Sequence, residues 1–333
     1  MIEKEKITID YLDVGQGDSE LIRTPHGQTI LIDAGSGSKC VQAVEPMLRN
    51  LGIATLDLYV VSHNHADHYG ASSLFQTAAV KQVWTPESAS EITPLSLLAA
   101  LGDDAFERLN PRAGYSAKLD GTLLEVLAPE NPLFSDENDK SLVLRLTYQN
   151  NRFLFPGDAE LDSWTQMKNR DRALLEADVL KVAHHGSRNG TNQAVLDCVS
   201  PDYAVISCGR GNNYGHPHAE TLSLLSGAKV QVFRTDEAGT IRCQSDGDVL
   251  RFFAEGTILP SPIPSATASM VGDFLVGNKS SLVFHSPSCR YASQISEQNR
   301  QSFASRAEAV MSGYHACFVC GGIASEVKIA APR

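Results

Sequence analysis

The sequence predicts an α/β protein, its sheets covered by helices, followed by a small metal-stabilised α+β domain. Three observations predict this. Short β-branched segments alternate with helix-like stretches through roughly the first 255 residues; polar and acidic residues recur just where those segments stop; and a proline-rich, uncharged stretch separates this body from a tail carrying three cysteines.

In chain order, ITIDYLDV, SELIRT, QTILIDAG, LDLYVVS, KQVWTP, TLLEVLAP, SLVLRLTY, RFLFPGD, VLKVAH, YAVISCG and KVQVFRT read as strands. CVQAVEPMLRNLG and ETLSLLSG read as helices lying between some of them. No repeat of solenoid period is present. From Gly256 to Val271 runs GTILPSPIPSATASMV, with three prolines and no charge, a linker composition. The expected division is a body over 1–258, a linker over 259–271 and a small domain over 272–325.

With 333 residues, 42% hydrophobic and 20% charged, the chain is long enough for one large core and a second small one. No apolar run approaches the roughly 20 residues that span a bilayer, and MIEKEKITIDYLDV lacks the apolar centre of a signal peptide. The expectation is a cytoplasmic protein without membrane contact. Cys40, Cys198, Cys208 and Cys243 stand singly, as buried thiols of a reducing compartment do. The net charge of −11 disfavours a broad basic surface for nucleic acid, but it is uneven: 22 basic and 35 acidic residues precede residue 272, and 6 basic and 4 acidic follow.

The chemistry lies at the strand ends. LIDAG stops on Asp33, LYVVSHNHADH on three histidines and an aspartate, FLFPGD on Asp158, and VLKVAHHGS on His184 and His185. Ligands in layered α/β folds bind at such ends. In an extended segment His63 and His65 point the same way, so both imidazoles face one metal. Asp67 and His68 follow at the expected start of a helix, turned toward a second metal. Asp158 then bridges the two, and a metal-activated water is the nucleophile. The histidines of YGHPH, His216 and His218, follow another strand; contact with a phosphate oxygen or protonation of a leaving group is expected of them, with His218 favoured. DVGQGD by itself reads as a hairpin turn, with Asp18 near the metals.

These residues resemble the metallo-β-lactamase hydrolase family over about residues 5–255. His63, His65, Asp67 and His68 match its H-x-H-x-D-H ligand motif, Asp158 its bridging aspartate, His185 its late histidine and Asp33 the aspartate behind the ligands. The resemblance implies a four-layer αβ/βα sandwich with one or two zinc or manganese ions at one edge. DVGQGD, NDKSLVL, KVAHHGS and YGHPH further resemble the soluble hydrolase domain of the competence channel ComEC, which implies metal-dependent cleavage of DNA phosphodiesters. One position departs. Most dinuclear members give the first metal a third histidine from a G-H turn, where this chain reads ENDKS; Asn138 or Asp139 would ligate through oxygen, or the first position is under-coordinated. Oxygen ligands would favour manganese over zinc. His185 is taken as the ligand and His184 as its neighbour behind the site, because H-x-S matches the spacing of nuclease relatives.

In the tail, FHSPSC offers His285 and Cys289, and ACFVC offers Cys317 and Cys320, a closed four-ligand zinc set. Ser305 to Glu308, SRAE, has the spacing of a capping box. Residues 274–322 resemble the metal-binding domain of the Ada DNA-repair protein, with His285 where Ada has its methyl-accepting cysteine. A structural zinc and DNA contact through Arg290, Arg300 and Arg306 are therefore implied, and methyl transfer is not. The function expected is a metal-dependent phosphodiesterase or nuclease acting on DNA. A hydrolase of small esters, lactones or β-lactams, and a non-catalytic DNA-binding module with a degenerate metal site, stand as alternatives.

Overall fold

Ile7, Ile9 and Tyr11 of one sheet and Leu144, Leu146 and Tyr148 of another alternate along their strands, and this period of two turns both sets into a single buried layer between the sheets. Central strands are buried on both faces. In Leu58–Val60, Leu58 and Val60 face the inter-sheet core while Tyr59 faces an outer layer of helices. Val179 and Leu180 divide the same way on the other side. The outer layers are completed by Val44, Leu48 and Leu74 on one side and by Trp164, Met167, Val195 and Leu225 on the other. The result is helix, sheet, sheet, helix.

This computed structural model describes residues 5–87, 106–130, 134–254, 257–259, 275–285, 292–303, 309 and 312–317. Cys289, Arg290, Arg306 and Cys320, the capping box and residues 260–271 lie outside the described residues. The chain divides into two units, 1–261 and 262–333. No helix among the described residues is long and apolar enough to cross a membrane.

Each large sheet has a parallel part and an antiparallel part. In the nine-stranded sheet, Thr29–Ile32, Leu58–Val60, Gln82–Trp84 and Glu107–Leu109 run parallel. In the seven-stranded sheet, Asn151–Phe155, Val179–Lys181, Tyr203–Ile206 and Gln231–Arg234 do so. Several strands are additional to those read from sequence, Glu107–Leu109 and Ser116–Leu119 among them. Ile241–Ser245 pairs antiparallel with Ile7–Tyr11, and Leu250–Ala254 pairs with Ile241–Ser245. The carboxylate of Asp10, fully buried in the first strand, is held by Arg242 at 2.6 Å and by Arg23 at 3.1 Å. A helix over Leu161–Asp171 is also new. The stretch read as one helix from Cys40 begins π-helical over Cys40–Val44 and becomes α-helical over Glu45–Asn50.

In the small unit, Leu275–Asn278 pairs antiparallel with both Val283–His285 and Arg300–Phe303, and His315–Ala316 runs parallel to Val283–His285. Phe284, Phe303 and Tyr314 form its buried centre. His285 and Cys317 are both buried at the ends of that parallel pair. The Arg300 guanidinium donates to the Ala292 carbonyl at 2.7 Å, an internal contact for one of the residues assigned to DNA.

Candidate metal centre

The parallel strands carry the site because their carboxyl ends lie at one edge of each sheet. Thr29–Ile32 runs into Asp33 and Leu58–Val60 into the turn from Ser62 to His68. On the other sheet, Asn151–Phe155 leads to Gly157 and Asp158, Val179–Lys181 to His184 and His185, and Tyr203–Ile206 to the loop that carries His216.

Asp33 holds the first of these ends together. It is buried in the left-handed region at φ 53 and accepts from the Ser62 amide at 2.7 Å and the Ser62 hydroxyl at 2.6 Å. Its Oδ2 also lies 2.8 Å from His68 Nδ1. A proton on Nδ1 facing that carboxylate leaves the His68 Nε2 lone pair directed into the site. His68 itself sits in a turn closed by its amide donating to the His65 carbonyl at 3.1 Å. The helix expected to start at Asp67 does not form there; the next α-helix is Leu74–Thr77. The polar cluster is a turn because Asp33 and the Asp18 amide engage it from outside.

DVGQGD is a support beneath that turn rather than a simple hairpin. The Asp18 amide donates to the Asp67 carbonyl at 3.3 Å. Gly17, at φ +139, passes so close that a Cβ there would lie 2.5 Å from the Asp67 carbonyl oxygen. Asp18 then reaches His185, whose Nδ1 lies 3.1 Å from the Ser207 carbonyl and 3.0 Å from Asp18 Oδ1. The other Asp18 oxygen takes the Lys181 ammonium, and both partners are almost wholly buried. Burial opposes ionisation of Asp18, but Lys181 and His185 outweigh it and hold its pKa below the usual carboxylate value. Glu20 beside them is pushed well up, by burial first and by the Asp18 charge next. Lys181 and Asp18 thus form a buried ion pair beside a carboxyl whose surroundings oppose its ionisation.

At the centre is Asp158. Gly157 precedes it at φ +55, where a Cβ would lie 2.9 Å from Ser62 Cβ, so glycine alone lets this strand end approach the other sheet's. Around the single oxygen Asp158 Oδ2 stand four imidazole nitrogens: His68 Nε2 and His185 Nε2 at 3.4 Å, and His63 Nε2 and His184 Nε2 at 3.8 Å. Asp67 lies 3.4 Å from His185 Nε2 and 3.9 Å from His68 Nε2. His65 joins through its Nδ1, 3.0 Å from His63 Nε2. Burial opposes charge on His68 and His185, yet the carboxylates of Asp158 with Asp33 or Asp18 draw protons onto them and raise both pKa values well above that of free imidazole. Burial likewise works against the Asp158 anion, and His185 and His68 overcome it.

These residues fit divalent metal. His68 Nε2, His185 Nε2 and Asp158 Oδ1 are buried and make no hydrogen bond to any described residue. Buried polar atoms without partners are rare and costly unless an ion or water completes them. Among the described residues four groupings of donors lie within 4.8 Å of one another: His63, His68 and Asp158; Asp67, His68 and His185; Asp18, Asp158 and His185; and Asp18, Asp33 and His68. In the first two, the spacings exceed hydrogen-bond length and match donors separated by a shared ion.

Two expectations change. Asp139 accepts from the Glu160 and Ser163 amides, both at 3.0 Å, and so caps the helix Leu161–Asp171; it is not directed at the site. Asn138 donates its side-chain amide to Glu160 at 3.4 Å. Of the two late histidines, His216 and not His218 lines the cavity over the site, a space of about 350 Å³ also bounded by His65, Asp67, Asp158, His184 and His185. His218 is turned away, its Nδ1 accepting from the Arg188 amide at 3.0 Å. Burial, then the neighbouring imidazoles of His185, His184 and His218, push His216 down to about 4. Its Nδ1 faces the Gln16 side-chain amide at 3.4 Å, and Gln16 is oriented by accepting from the Gly209 amide at 3.2 Å. The proton of neutral His216 therefore lies on Nε2. Sequence reading missed Ser62, Lys181, Glu160 and Gln16. Only Lys181 carried a signal, as a single cation inside the apolar strand VLKVA.

A profile of the Metallo-beta-lactamase superfamily matches residues 12–210. The chain is 31% identical over 252 residues to ComE operon protein 3 of Bacillus subtilis (strain 168), covering 70% of this chain and 32% of that protein. It is 32% identical over 249 residues to Recombination protein 2 of Haemophilus influenzae, covering 72% and 29%. The chain thus spans about a third of the length of these curated relatives. Among solved structures, CmlA from Streptomyces venezuelae, described as a diiron β-hydroxylase, superposes with a TM-score of 0.52 at 14% identity, over 69% of this chain and 53% of that one. At that identity the likeness shows the fold.

Two substitutions test the supporting roles. Asp18→Asn strands the buried Lys181 cation and is expected to destabilise the fold by about 3–5 kcal/mol, read from the urea midpoint. Asp139→Ala should cost only about 1 kcal/mol, the loss of a helix cap, with metal content unchanged by elemental analysis. Metal depletion in Asp139→Ala beyond that in Glu160→Gln, whose backbone amide Asp139 holds, would return Asp139 to the ligands.

Proposed function

The chain belongs to the metallo-beta-lactamase superfamily, and from that premise we propose that it is a metal-dependent phosphodiesterase acting on DNA. The observation that carries this reading is the crowding of four imidazole nitrogens around Asp158 Oδ2, with unpartnered buried atoms, beneath an open cavity. The resemblance of DVGQGD, KVAHHGS and YGHPH to the ComEC hydrolase domain supports a DNA substrate, as do the names of the relatives, ComE operon protein 3 and Recombination protein 2.

In this reading Asp67, His68, His185 and Asp158 hold one ion, and His63, His65 and Asp158 the other. Zinc or manganese bound there supplies positive charge to offset the phosphate and makes water acidic enough to attack. The residues do the rest. Asp33 and Asp18 fix the His68 and His185 rings through their Nδ1 atoms, so only Nε2 is presented to the ion. Asp67 and Asp158, on opposite sheets, orient the attacking water and accept its proton. His216, neutral with its proton on Nε2, donates a hydrogen bond from there to the developing alkoxide, which takes its proton from water, and so replaces the expected His218. The acidic body, −13 over residues 1–271 against +2 for the remainder, gives little long-range attraction to a polyanion. Holding the strand therefore falls to the small unit, with Arg290, Arg300 and Arg306 as phosphate contacts and a structural zinc on His285, Cys289, Cys317 and Cys320.

The wild-type protein should hydrolyse linear DNA and bis(p-nitrophenyl) phosphate with manganese or zinc, and should lose this activity when chelated. Asp67→Ala should abolish turnover while circular dichroism stays unchanged. His216→Ala should lower kcat by about 100-fold or more, with His218→Ala far milder. Cleavage of nitrocefin or a lactone with no cleavage of either phosphodiester would replace this reading with the small-substrate one. Cys317→Ser should remove one zinc equivalent without changing turnover of bis(p-nitrophenyl) phosphate.

A further inference from the structure

His184 immediately precedes His185 in the chain and lines the same cavity. Its placement is specific. His184 and His185 both lie in the left-handed region, at φ 50, ψ 48 and φ 54, ψ 24. Two such non-glycine residues in succession are strained and persist only where their surroundings require them. The His184 amide donates to the Gly157 carbonyl at 3.1 Å, tying it to the residue before Asp158. Its Nε2 then stands 3.8 Å from Asp158 Oδ2, the same distance as His63 Nε2. On the other side of the ring, Nδ1 lies 3.0 Å from Glu160 Oε1. A carboxylate at Nδ1 takes that nitrogen's proton in a hydrogen bond and leaves the Nε2 lone pair facing the cavity, the arrangement found behind metal-binding histidines.

Glu160 is itself held. The Asn138 side-chain amide donates to the same Glu160 Oε1 at 3.4 Å, and the Glu160 amide is fixed by Asp139. Within ENDKS, Asn138 and Asp139 thus both contact Glu160, the residue behind His184, while Asn138 Oδ1 is buried and makes no hydrogen bond to a described residue. His184 and His65 border the same cavity as Asp158.

We propose that His184, oriented by Glu160, supplies the third imidazole of the first metal position, alongside His63 and His65, in place of the histidine absent at Asn138 and Asp139. This rests on the two-ion reading of the site but not on the identity of the substrate. It completes a nitrogen-rich first position, which favours zinc there over the oxygen-rich coordination expected from an asparagine or aspartate ligand.

The test is metal binding by the full-length protein. Titration of the apo protein with zinc in a calorimeter and elemental analysis after desalting should give one equivalent fewer for His184→Ala than for wild type. The manganese-loaded wild type should show the exchange-coupled paramagnetic resonance of two neighbouring ions, and His184→Ala the signal of an isolated ion. Glu160→Gln, which removes no ligand, should keep the stoichiometry but weaken the first position by about 10–100-fold. Wild-type stoichiometry, affinity and coupled resonance in a folded His184→Ala protein would overturn the proposal, as would an unchanged affinity in Glu160→Gln. Failure to cleave DNA by a wild-type protein that binds both ions would instead reject the substrate reading and leave this assignment standing.

Discussion

The site depends on one buried carboxylate oxygen placed between two sheets. Asp158 Oδ2 is out of water, and nothing in a hydrophobic core would tolerate an isolated anion there. What stabilises it is convergence: imidazoles from the ends of Leu58–Val60 and Val179–Lys181 approach from either side. That convergence is possible only because the parallel parts of both sheets end at the same edge and because Gly157 allows a close approach. The inter-sheet core, from Ile9 to Phe155, fixes the distance between those edges.

Behind the donors stands a second tier that sets proton positions. Asp33 serves His68, Asp18 with the Ser207 carbonyl serves His185, Glu160 serves His184, and Gln16 serves His216. Every one of these partners comes from a strand end or loop remote in sequence from the ring it orients, Glu160 at 24 residues being the nearest except for Ser207 at 22. Lys181 compensates the Asp18 charge, and burial together with that charge pushes the Glu20 pKa well up. Each of these orienting groups is paired with the ring it serves, and removing one leaves an imidazole without that partner.

Local patterns were legible in the sequence and remote ones were not. The spacing of His63, His65, Asp67 and His68 declared a metal site, and the four-layer sandwich followed from strand periodicity together with the family resemblance. Which way His184 and His185 each face was not legible, because both adopt left-handed dihedrals and the groups that orient their rings, Glu160 for one and Ser207 with Asp18 for the other, are remote in sequence. A helix at Asp67 was expected because a polar turn after a strand has the composition of a helix start. The real helix at Leu161–Asp171 was missed because LDSWTQMKNRD shows only Leu161, Trp164 and Met167 as large apolar positions. Ile241–Ser245 escaped because its Arg242 and Gln244 break the apolar run, and Arg242 is there to pair with Asp10 across the strands.

The dispersal of the site along the chain has a consequence for folding. Asp33, the His63–His68 turn, Asp158 and His184–His185 come together only once both sheets have formed, so the unfolded chain offers at most the short HNHADH cluster. Contacts of such long range are slow to form. An ion that needs the whole set binds the native state almost exclusively, and at a free concentration one hundred times its dissociation constant it stabilises that state by about 2.7 kcal/mol. The equilibrium stability of the folded protein would in this way depend partly on the metal supply of its surroundings.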